Sequence, residues 1–285
     1  DRLRSRGLGD VYKRQIEYKN TENSTYPTIQ QCFYLYPDKD YFLTDVFLLS
    51  SGTSKIESNY IAPIYTETQN RFLPQDANNR FLFVPFDNDG FITYGSLPLS
   101  RGIDPTSLGV GRYARDTISF EVTSIFNGET QEGLVIGSVE HDTWKSAIRM
   151  TGSPLSQAYI NKLECYSGAT HSITRDATDN NWLQPHGAVK GTKIKSARML
   201  VGLFDDWRTG METFGDVNAL IAPKREWNNP TPFGWNSWGG MERNINFDGV
   251  ISVSDFIKEN IQGKGHFGED GLVFVGLDSF WDNLN

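Results

Sequence analysis

Between residues 16 and 203 the chain consists of short runs of hydrophobic residues that are typical of strands. In ISFEVTSIF, Ile118, Phe120, Val122 and Phe126 fall on one face, and Ser119, Glu121 and Thr123 fall on the other. This period of two is typical of a strand that is buried on one face. Further short runs rich in β-branched or aromatic residues, separated by turn-forming clusters, are YFLTDVFLLS, RFLFVPF, GLVIGSV and KSAIRM. Successive strands without an amphipathic helix predict an antiparallel β-sandwich over residues 16–203.

The periodicity changes after residue 203. Within DDWRTGMETFGDVNALI, apolar residues recur at steps of four, three, three and four, at Trp207, Met211, Phe214, Val217 and Ile221. This spacing predicts one face of a helix, and Asp205 or Asp206 is placed to cap its N-terminus. The next segment, APKREWNNPTP, is rich in proline and asparagine and predicts a linker. We therefore expect residues 204–230 to connect the sandwich to a second domain.

A strand, a helix and a second strand follow this linker. FGWNSW predicts a short strand, GGMERNINFDGV a loop, and SVSDFIKENI a helix in which Ser252 and Asp255 have the spacing of a capping box. In GLVFVGLD, consecutive apolar residues without alternation predict a strand buried on both faces of a parallel sheet. This order is a βαβ unit, with which a barrel and a doubly wound sheet both begin. One unit cannot cover its own faces, so we expect more of an α/β domain after residue 285.

The two ends of the chain differ from the rest. Residues 1–15, DRLRSRGLGDVYKRQ, are charged and aperiodic, and they resemble the translated read-through of a sequencing adaptor. We therefore set them apart from the fold and expect the natural N-terminus to be missing, together with any targeting signal. The C-terminal FWDNLN follows a predicted strand without a capping element. We expect a fragment whose last domain, residues 231–285, is truncated.

Composition argues against several classes of function. The formal net charge is -8, from 27 Lys and Arg against 35 Asp and Glu, which disfavours a nucleic-acid or anionic-membrane partner. No apolar run approaches the roughly 20 residues of a membrane span. With Cys32 and Cys165 as the only cysteines, a disulfide framework is excluded; we expect two free buried thiols, and a single bridge stays open. The sequence contains no metal-ligand spacing and no glycine-rich phosphate loop, so we expect neither a metal nor another cofactor.

The βαβ unit places aromatic and acidic residues at its strand ends. Trp235 and Trp238 end the first predicted strand, and Asp278 ends the second. The C-terminal ends of parallel strands meet at one edge, where α/β folds hold their sites. An indole stacks on the C–H groups of a sugar ring and a carboxylate accepts hydrogen bonds from its hydroxyls. The pattern favours a carbohydrate site, and the alternative is a pair of indoles packed in a core.

Acidic residues also surround a histidine in EHD, at residues 140–142. We interpret this segment as the structural end of a sandwich strand.

The motifs PFGWNSWGG and GLVFVGLDSFW resemble the opening of the catalytic barrel of melibiase-type α-galactosidases, the superfamily that includes the raffinose synthases. Members begin the barrel with Pro-x-Gly-Trp-x-x-Trp and end the second strand with Leu-Asp-Asp-x-Trp. Less specifically, RFLFVPFDND, GLVIGSVEHDTWKSAI and ARMLVGLFDDWRTGMETFGD are similar to the N-terminal sandwich and connecting helix of bacterial members. The resemblance covers nearly all of residues 16–285. It implies a galactose-mutarotase-like supersandwich followed by the first βαβ unit of a (β/α)8 barrel.

The resemblance also implies roles for single residues. Trp238 matches the indole that lines the sugar site, and Trp235 matches its motif partner, which we expect to pack rather than to contact the sugar. Asp278 matches the first Asp of the pair that binds galactose hydroxyls. Ser279 stands where the family has the second Asp, which leaves the identity of the sugar open. Trp281 matches the closing Trp of the motif, which we interpret as structural.

By this resemblance the whole protein is a secreted or periplasmic retaining glycoside hydrolase that acts on non-reducing-end α-galactosides or related sugars. Its catalytic carboxyl pair would lie beyond residue 285, so we expect this chain to be inactive by itself and its partner to be a carbohydrate. Hydrolysis and sugar transfer both stay open. The alternative from another class is a carbohydrate-binding sandwich without hydrolytic function. That alternative explains the strand-rich region but not the βαβ unit with its aromatic and acidic strand ends.

Overall fold

The computed structural model describes the chain in nine segments, which are residues 11–23, 25–67, 70–74, 76–84, 95–99, 118–153, 156–168, 187–265 and 271–282. The chain divides into two compact units, Asp1–Pro223 and Lys224–Asn285. The division falls within the predicted connection of residues 204–230.

The first unit is built mainly from antiparallel strands. These are β1 Tyr12–Tyr18, β2 Thr28–Leu35, β3 Tyr41–Leu49, β4 Ile56–Ser58, β5 Ile61–Thr66, β6 Asn70–Arg71, β7 Asn79–Phe83, β8 Gly95–Pro98, β9 Ile118–Phe120, β10 Val122–Asn127, β11 Gly133–Ser138, β12 Ser146–Ser153, β13 Ser156–Ser167, β14 Val189–Gly191, β15 Lys193–Lys195 and β16 Met199–Phe204. Among the described residues, nine strands form one sheet in the order β1-β2-β3-β16-β11-β10-β7-β8, with β15 also paired to β3. Five strands form a second sheet in the order β5-β13-β12-β9, with β6 also paired to β13, and β4 pairs with β14.

The two sheets pack face to face around one apolar core. Phe81, Ile125 and Ile136 from the larger sheet meet Ile148 and Leu163 from the smaller sheet, and all five side chains are almost completely buried. Removing apolar surface from water is the dominant favourable contribution to folding, at about 25 cal/mol per Å². The arrangement agrees with the antiparallel β-sandwich that the alternating pattern predicts.

Helix α1 (Trp207–Ile221) covers the opposite face of the larger sheet. Along β11, Ile136 points into the sandwich core, whereas the neighbouring Val135 belongs to a second apolar cluster together with Phe214 and Val217 of the helix. The predicted apolar face of this helix is therefore confirmed. The larger sheet is covered on both faces, and α1 is part of the sandwich unit.

The N-terminus of α1 and its approach to the sheet have local causes. The carboxylate of Asp206 caps the helix by accepting a hydrogen bond from the Arg208 N–H at 2.9 Å. Gly137 on β11 leaves room for the helix, because a Cβ there would lie 2.4 Å from the ring of Phe214. Of the two predicted capping residues, the structure selects Asp206.

ISFEVTSIF forms two strands instead of the single half-buried strand that we predicted. β9 belongs to the smaller sheet and β10 to the larger one, and both are buried along their whole length. Glu121 between them has a φ of 63°, in the left-handed region that interrupts a strand. Because the chain crosses between the sheets here, the expected polar face is buried. The hydroxyls of Ser119 and Thr123 donate to backbone carbonyls instead of facing water.

Residues 12–15, which the sequence analysis set apart, belong to the fold in the structure. Strand β1 pairs with β2 in continuous register, from Tyr12 opposite Leu35 to Tyr18 opposite Ile29. Every residue of β1 is exposed, so backbone pairing rather than burial holds this edge strand. Charged residues are compatible with such an edge, and the aperiodic sequence was therefore a misleading reason to exclude it.

The second unit contains a parallel pair of strands with helices between them. Its elements are β17 Gly234–Asn236, α2 Trp238–Met241, a 3₁₀ turn Glu242–Asn244, α3 Phe247–Asn260 and β18 Phe274–Gly276. β17 pairs with β18 in parallel, with Trp235 opposite Val275. The strand-helix-strand order and the parallel pairing agree with the predicted βαβ unit.

Helix α3 begins five residues earlier than SVSDFIKENI suggested. The side chain of Asn246 caps it by accepting a hydrogen bond from the Gly249 N–H at 2.9 Å. Ser252 and Asp255 therefore lie inside the helix, and the predicted capping box is wrong. Asn246 satisfies one of the N–H groups that the first turn leaves without a partner, so the helix is stable from Phe247 onward.

Burial along β18 also differs from the prediction. Phe274 and Val275 are 57% and 37% exposed, whereas the unbroken apolar run predicted burial on both faces. In the part of the chain that the structure describes, this unit has only two strands, which are too few to form a covered parallel sheet.

The structure also answers two questions that composition raised. Cys32 and Cys165 are both buried free thiols, so the single bridge that stayed open does not form. Across the described residues, every helix is too short or too polar to cross a bilayer.

Candidate functional site

The C-terminal ends of β17 and β18 meet at one edge of the second unit. Asn236 ends the first strand opposite Gly276, so Trp238 and Asp278 follow from neighbouring strand ends. Ser237, which is 1% exposed, joins the two ends. Its N–H donates to the Gly276 carbonyl at 3.0 Å, and its hydroxyl accepts from the Asp278 N–H at 2.9 Å. These bonds fix the backbone from which both candidate residues project.

Ser279 and Asn236 hold the carboxylate of Asp278. Its Oδ1 accepts from the Ser279 N–H at 2.7 Å, and its Oδ2 accepts from the Nδ2 amide of Asn236 at 3.0 Å. The bond from the Ser279 backbone, followed by that from Asn236, lowers the pKa of Asp278 below its ordinary value. The side chain is therefore ionised at neutral pH and partly exposed. Each oxygen keeps a lone pair with which to accept a ligand hydroxyl.

Trp238 presents an indole that is 39% exposed, so a core pair with Trp235 does not describe it. The ring stacks on Phe280, with centroids 6.1 Å apart and planes 16° from parallel. The guanidinium of Arg243 lies 5.5 Å from the centroid of the same phenyl ring. Phe280 has a φ of 71°, a conformation that costs a non-glycine residue about 1–3 kcal/mol and that clusters at functional sites. One face of Trp238 is thus supported by protein.

The remaining predicted site residues have different surroundings. Trp235 is partly buried, and its indole lies beside Gly240, where a Cβ would be 3.7 Å from the ring. Ser279 is exposed, and its backbone N–H contacts Asp278. Trp281 is 64% exposed, so the described residues do not provide the packing that we expected for it.

The sequence analysis missed Asn236, Phe280 and Arg243. Asn236 carried a signal, because a polar residue that closes a parallel strand points toward the edge where sites lie. Arg243 falls in a segment that was predicted to be a loop, and its neighbours gave no reason to single it out. Phe280 was hidden inside the family motif. Its left-handed backbone has no sequence signature, because φ > 0 is uncommon for any residue other than glycine.

A second cluster of polar groups lies in the first unit and contains the EHD segment. The Nδ1 atom of His141 lies 2.9 Å from Oε2 of Glu121, and its Nε2 atom lies 2.6 Å from Oδ1 of Asn218. Glu140 pairs with Lys195. Because Asn218 belongs to α1, these contacts hold the helix against the sandwich, in keeping with the structural interpretation of EHD. The described parts of the chain bring no three His, Cys, Asp or Glu side chains together as a metal site would require.

No protein-family model matches the chain, and no curated protein matches its sequence. Solved structures do match over most of its length. A GH36 α-galactosidase from Geobacillus stearothermophilus, in complex with 1-deoxygalactonojirimycin, is 10% identical, with a TM-score of 0.46 over 94% of this chain and 33% of that chain. An α-N-acetylgalactosaminidase from Bifidobacterium bifidum, in complex with GalNAc, is 9% identical, with a TM-score of 0.39 over 94% of this chain and 43% of that chain.

A galactose mutarotase related enzyme from Lactobacillus acidophilus is 9% identical, with a TM-score of 0.36 over 68% of each chain. The chain thus spans about a third of the length of the α-galactosidase and less than half of that of the α-N-acetylgalactosaminidase. Because every one of these TM-scores is below 0.5, we base the function on the residues of the chain itself.

Proposed function

We propose that this chain is part of a retaining glycoside hydrolase of the melibiase type, which binds the terminal sugar of an α-galactoside or a related glycan at the edge formed by Trp238 and Asp278. The observation that carries the proposal is an ionised carboxylate and an open indole at the shared C-terminal edge of a parallel strand pair. The carboxylate accepts hydrogen bonds from the sugar hydroxyls, and the indole stacks on the C–H face of the ring.

The burial of the second unit supports a larger α/β domain. Large apolar side chains are exposed along α3 and in and beside β18, at Phe247, Ile251, Phe256, Leu272, Phe274, Val275 and Leu277. Soluble proteins rarely leave so many apolar groups uncovered on one small unit. We propose that further βα units cover these faces and complete a (β/α)8 barrel, with residues 231–278 as its opening unit.

In this proposal the edge binds the sugar and does not break the glycosidic bond. Retaining enzymes use two carboxyl groups about 5–5.5 Å apart, and later strands of the barrel would supply them. Ser279 offers a hydroxyl where the resembling family has a second Asp, so this site recognises the sugar through one carboxylate. Ser279 therefore leaves the sugar open between galactose and related sugars with a different hydroxyl arrangement.

The test uses a protein extended by the downstream coding sequence. Asp278→Ala removes a charge-assisted hydrogen bond to the sugar, so kcat/KM for an aryl α-galactoside should fall by about one to two powers of ten. Trp238→Ala should also lower kcat/KM, because it removes the stacking face. Neither should greatly lower the melting temperature, since both side chains are partly exposed. Asp282→Ala, which removes an exposed carboxylate four residues away, is the matched control.

Two results would contradict the proposal. If Trp238→Ala melts far lower than the parent but turns over normally per folded molecule, the indole is a packing residue. If the chain itself, without downstream sequence, hydrolyses an aryl α-galactoside, the catalytic carboxyl pair lies elsewhere than we propose. Downstream sequence with a Lys-x-Asp at a later strand end would support the enzyme, and a stop codon soon after residue 285 would favour the carbohydrate-binding alternative.

A further inference from the structure

The side chain of Asn236 contacts both residues of the proposed sugar site. Its Oδ1 accepts from the Trp238 N–H at 2.8 Å, and its Nδ2 donates to Oδ2 of Asp278 at 3.0 Å. We propose that Asn236 is a positioning residue that sets the Asp278 carboxylate relative to Trp238 for sugar binding. That the ligand is a sugar rests on the proposed function, whereas the positioning of Asp278 by Asn236 rests on the two hydrogen bonds.

Chemistry dictates the orientation of the Asn236 amide. A backbone N–H can only donate, so the atom that faces Trp238 must be the carbonyl oxygen of the amide. The amide NH2 is then left to face Asp278, and it favours the ionised form of that carboxylate because it can only donate. One side chain therefore couples the start of α2 to both the direction and the charge of the carboxylate.

Ser237 and Asn236 make separate contributions to this edge. Ser237 bonds to the backbone of Gly276 and of Asp278, and so it fixes where the Asp278 main chain runs. Asn236 contacts the carboxylate itself, as does the Ser279 N–H. The Ser279 contacts, from its backbone N–H and its side chain, come from the residue next to Asp278 on the same strand end. Asn236 is the contact from the other strand, so a substitution there can redirect the carboxylate and leave the backbone bonds of Ser237 in place.

Asn236→Asp keeps the hydrogen bond from the Trp238 N–H and removes the one to Asp278. The new carboxylate still accepts from the Trp238 N–H, but it places a negative charge against Asp278 where a donor had been. We expect the pKa of Asp278 to rise and the carboxylate to turn away. Asn236→Ala removes both bonds without adding charge and serves as the second variant. Asn244→Asp is the matched control, because it adds the same charge at an exposed position of the second unit.

The first measurement needs no ligand. NMR titration of the Asp278 side-chain carbon should show a higher pKa in Asn236→Asp and in Asn236→Ala than in the parent, and an unchanged pKa in Asn244→Asp. Equal pKa values for Asp278 in the parent and in both Asn236 variants would overturn the proposal, whatever the protein binds. Circular dichroism confirms that each variant is folded.

The second measurement is a fluorescence titration with D-galactose over a range of pH. We expect Asn236→Asp to bind galactose at least tenfold more weakly than the parent at neutral pH. On acidification the variant should lose its affinity at a higher pH than the parent does, because Asp278 must be ionised to accept hydrogen bonds from the sugar hydroxyls. Affinity and pH profile equal to those of the parent would overturn the role in binding. A parent that binds no galactose contradicts the galactoside specificity in the proposed function instead, and the NMR titration still decides whether Asn236 positions Asp278.

Discussion

Deprotonation of His141 should loosen the last turns of helix α1. Both ring nitrogens face acceptors, Oε2 of Glu121 at 2.9 Å and Oδ1 of Asn218 at 2.6 Å. The Asn218 amide cannot simply turn over, because its Nδ2 donates to the Phe214 carbonyl at 2.9 Å. Two acceptors require two N–H donors, so this geometry belongs to the imidazolium form of the ring.

The direction of the pH effect follows from the surroundings of His141. The hydrogen bond to Glu121 raises the pKa of His141, burial opposes this, and the bond to Asn218 and the charges of Glu121 and Glu140 raise it further. Two lysines lie among these acidic groups, since Lys145 interacts with Glu121 and Lys195 pairs with Glu140. A raised pKa in the folded state means that the stabilisation is complete below the unfolded value of about 6.5. It is lost as the pH rises through the folded pKa.

The stabilisation of α1 by His141 is modest because His141 and Glu121 are both partly exposed. The side chains of His141 and Glu121 are 43% and 35% exposed, so solvent screening limits their ion pair to about 0.2–1 kcal/mol. The hydrogen bond to Asn218 adds about 0.5–1.5 kcal/mol. Together the two contacts should stabilise the end of α1 by about 1–2 kcal/mol, which corresponds to a factor of roughly 5–30 in an opening equilibrium.

Amide hydrogen exchange of the last turns of α1 measures this local opening. The parent should exchange there roughly 5–30 times more slowly than His141→Gln at pH 6, and the difference should vanish as the pH rises through the folded pKa. Comparison of the two proteins at each pH cancels the intrinsic pH dependence of exchange. The core of β10 and β11 is the internal reference. A ratio that stays constant from pH 6 to pH 9 would refute the imidazolium assignment.

Three further predictions concern the first unit. Gly137→Ala should lower the free energy of unfolding by about 1–3 kcal/mol in urea, because its Cβ would lie 2.4 Å from the ring of Phe214. Asp45→Ala should cost about 3–5 kcal/mol in the same assay, since it leaves Arg198, 2.8 Å from the fully buried carboxylate, without that partner. Cys165 should react with a thiol reagent at pH 8 only after unfolding, because complete burial blocks access to the thiol and raises its pKa.

Matched variants control the two substitutions. Gly52→Ala places a Cβ where nothing lies within 4 Å, and Asp38→Ala removes an exposed carboxylate from a turn. Both should unfold at nearly the same urea concentration as the parent. Equal losses in Gly52→Ala and Gly137→Ala would show that flexibility rather than the clash matters, and a small loss in Asp45→Ala would show that Arg198 finds other partners. Reaction of Cys165 in the native state would contradict its burial.

The periodicity of the sequence was enough to predict the elements that local residue patterns specify. The spacing from Trp207 to Ile221 predicted α1, and its apolar side chains pack against the larger sheet. The strand, helix and strand after residue 231 predicted the parallel pairing of β17 and β18. These predictions succeed because an amphipathic helix and a short crossover are specified by residues that are close in sequence.

The tertiary structure decided what depends on distant partners. ISFEVTSIF alternates as one strand would, but Glu121 turns the chain from one sheet to the other, and no local pattern records that crossing. The apolar sequence of β18 predicts a buried strand, but its actual exposure depends on how many strands flank it. Trp238 and Asp278 could be placed near strand ends from the sequence, whereas the Asn236 bond that orients the carboxylate joins residues 42 positions apart. A side-chain hydrogen bond over that separation exists only once folding has brought the two strand ends together.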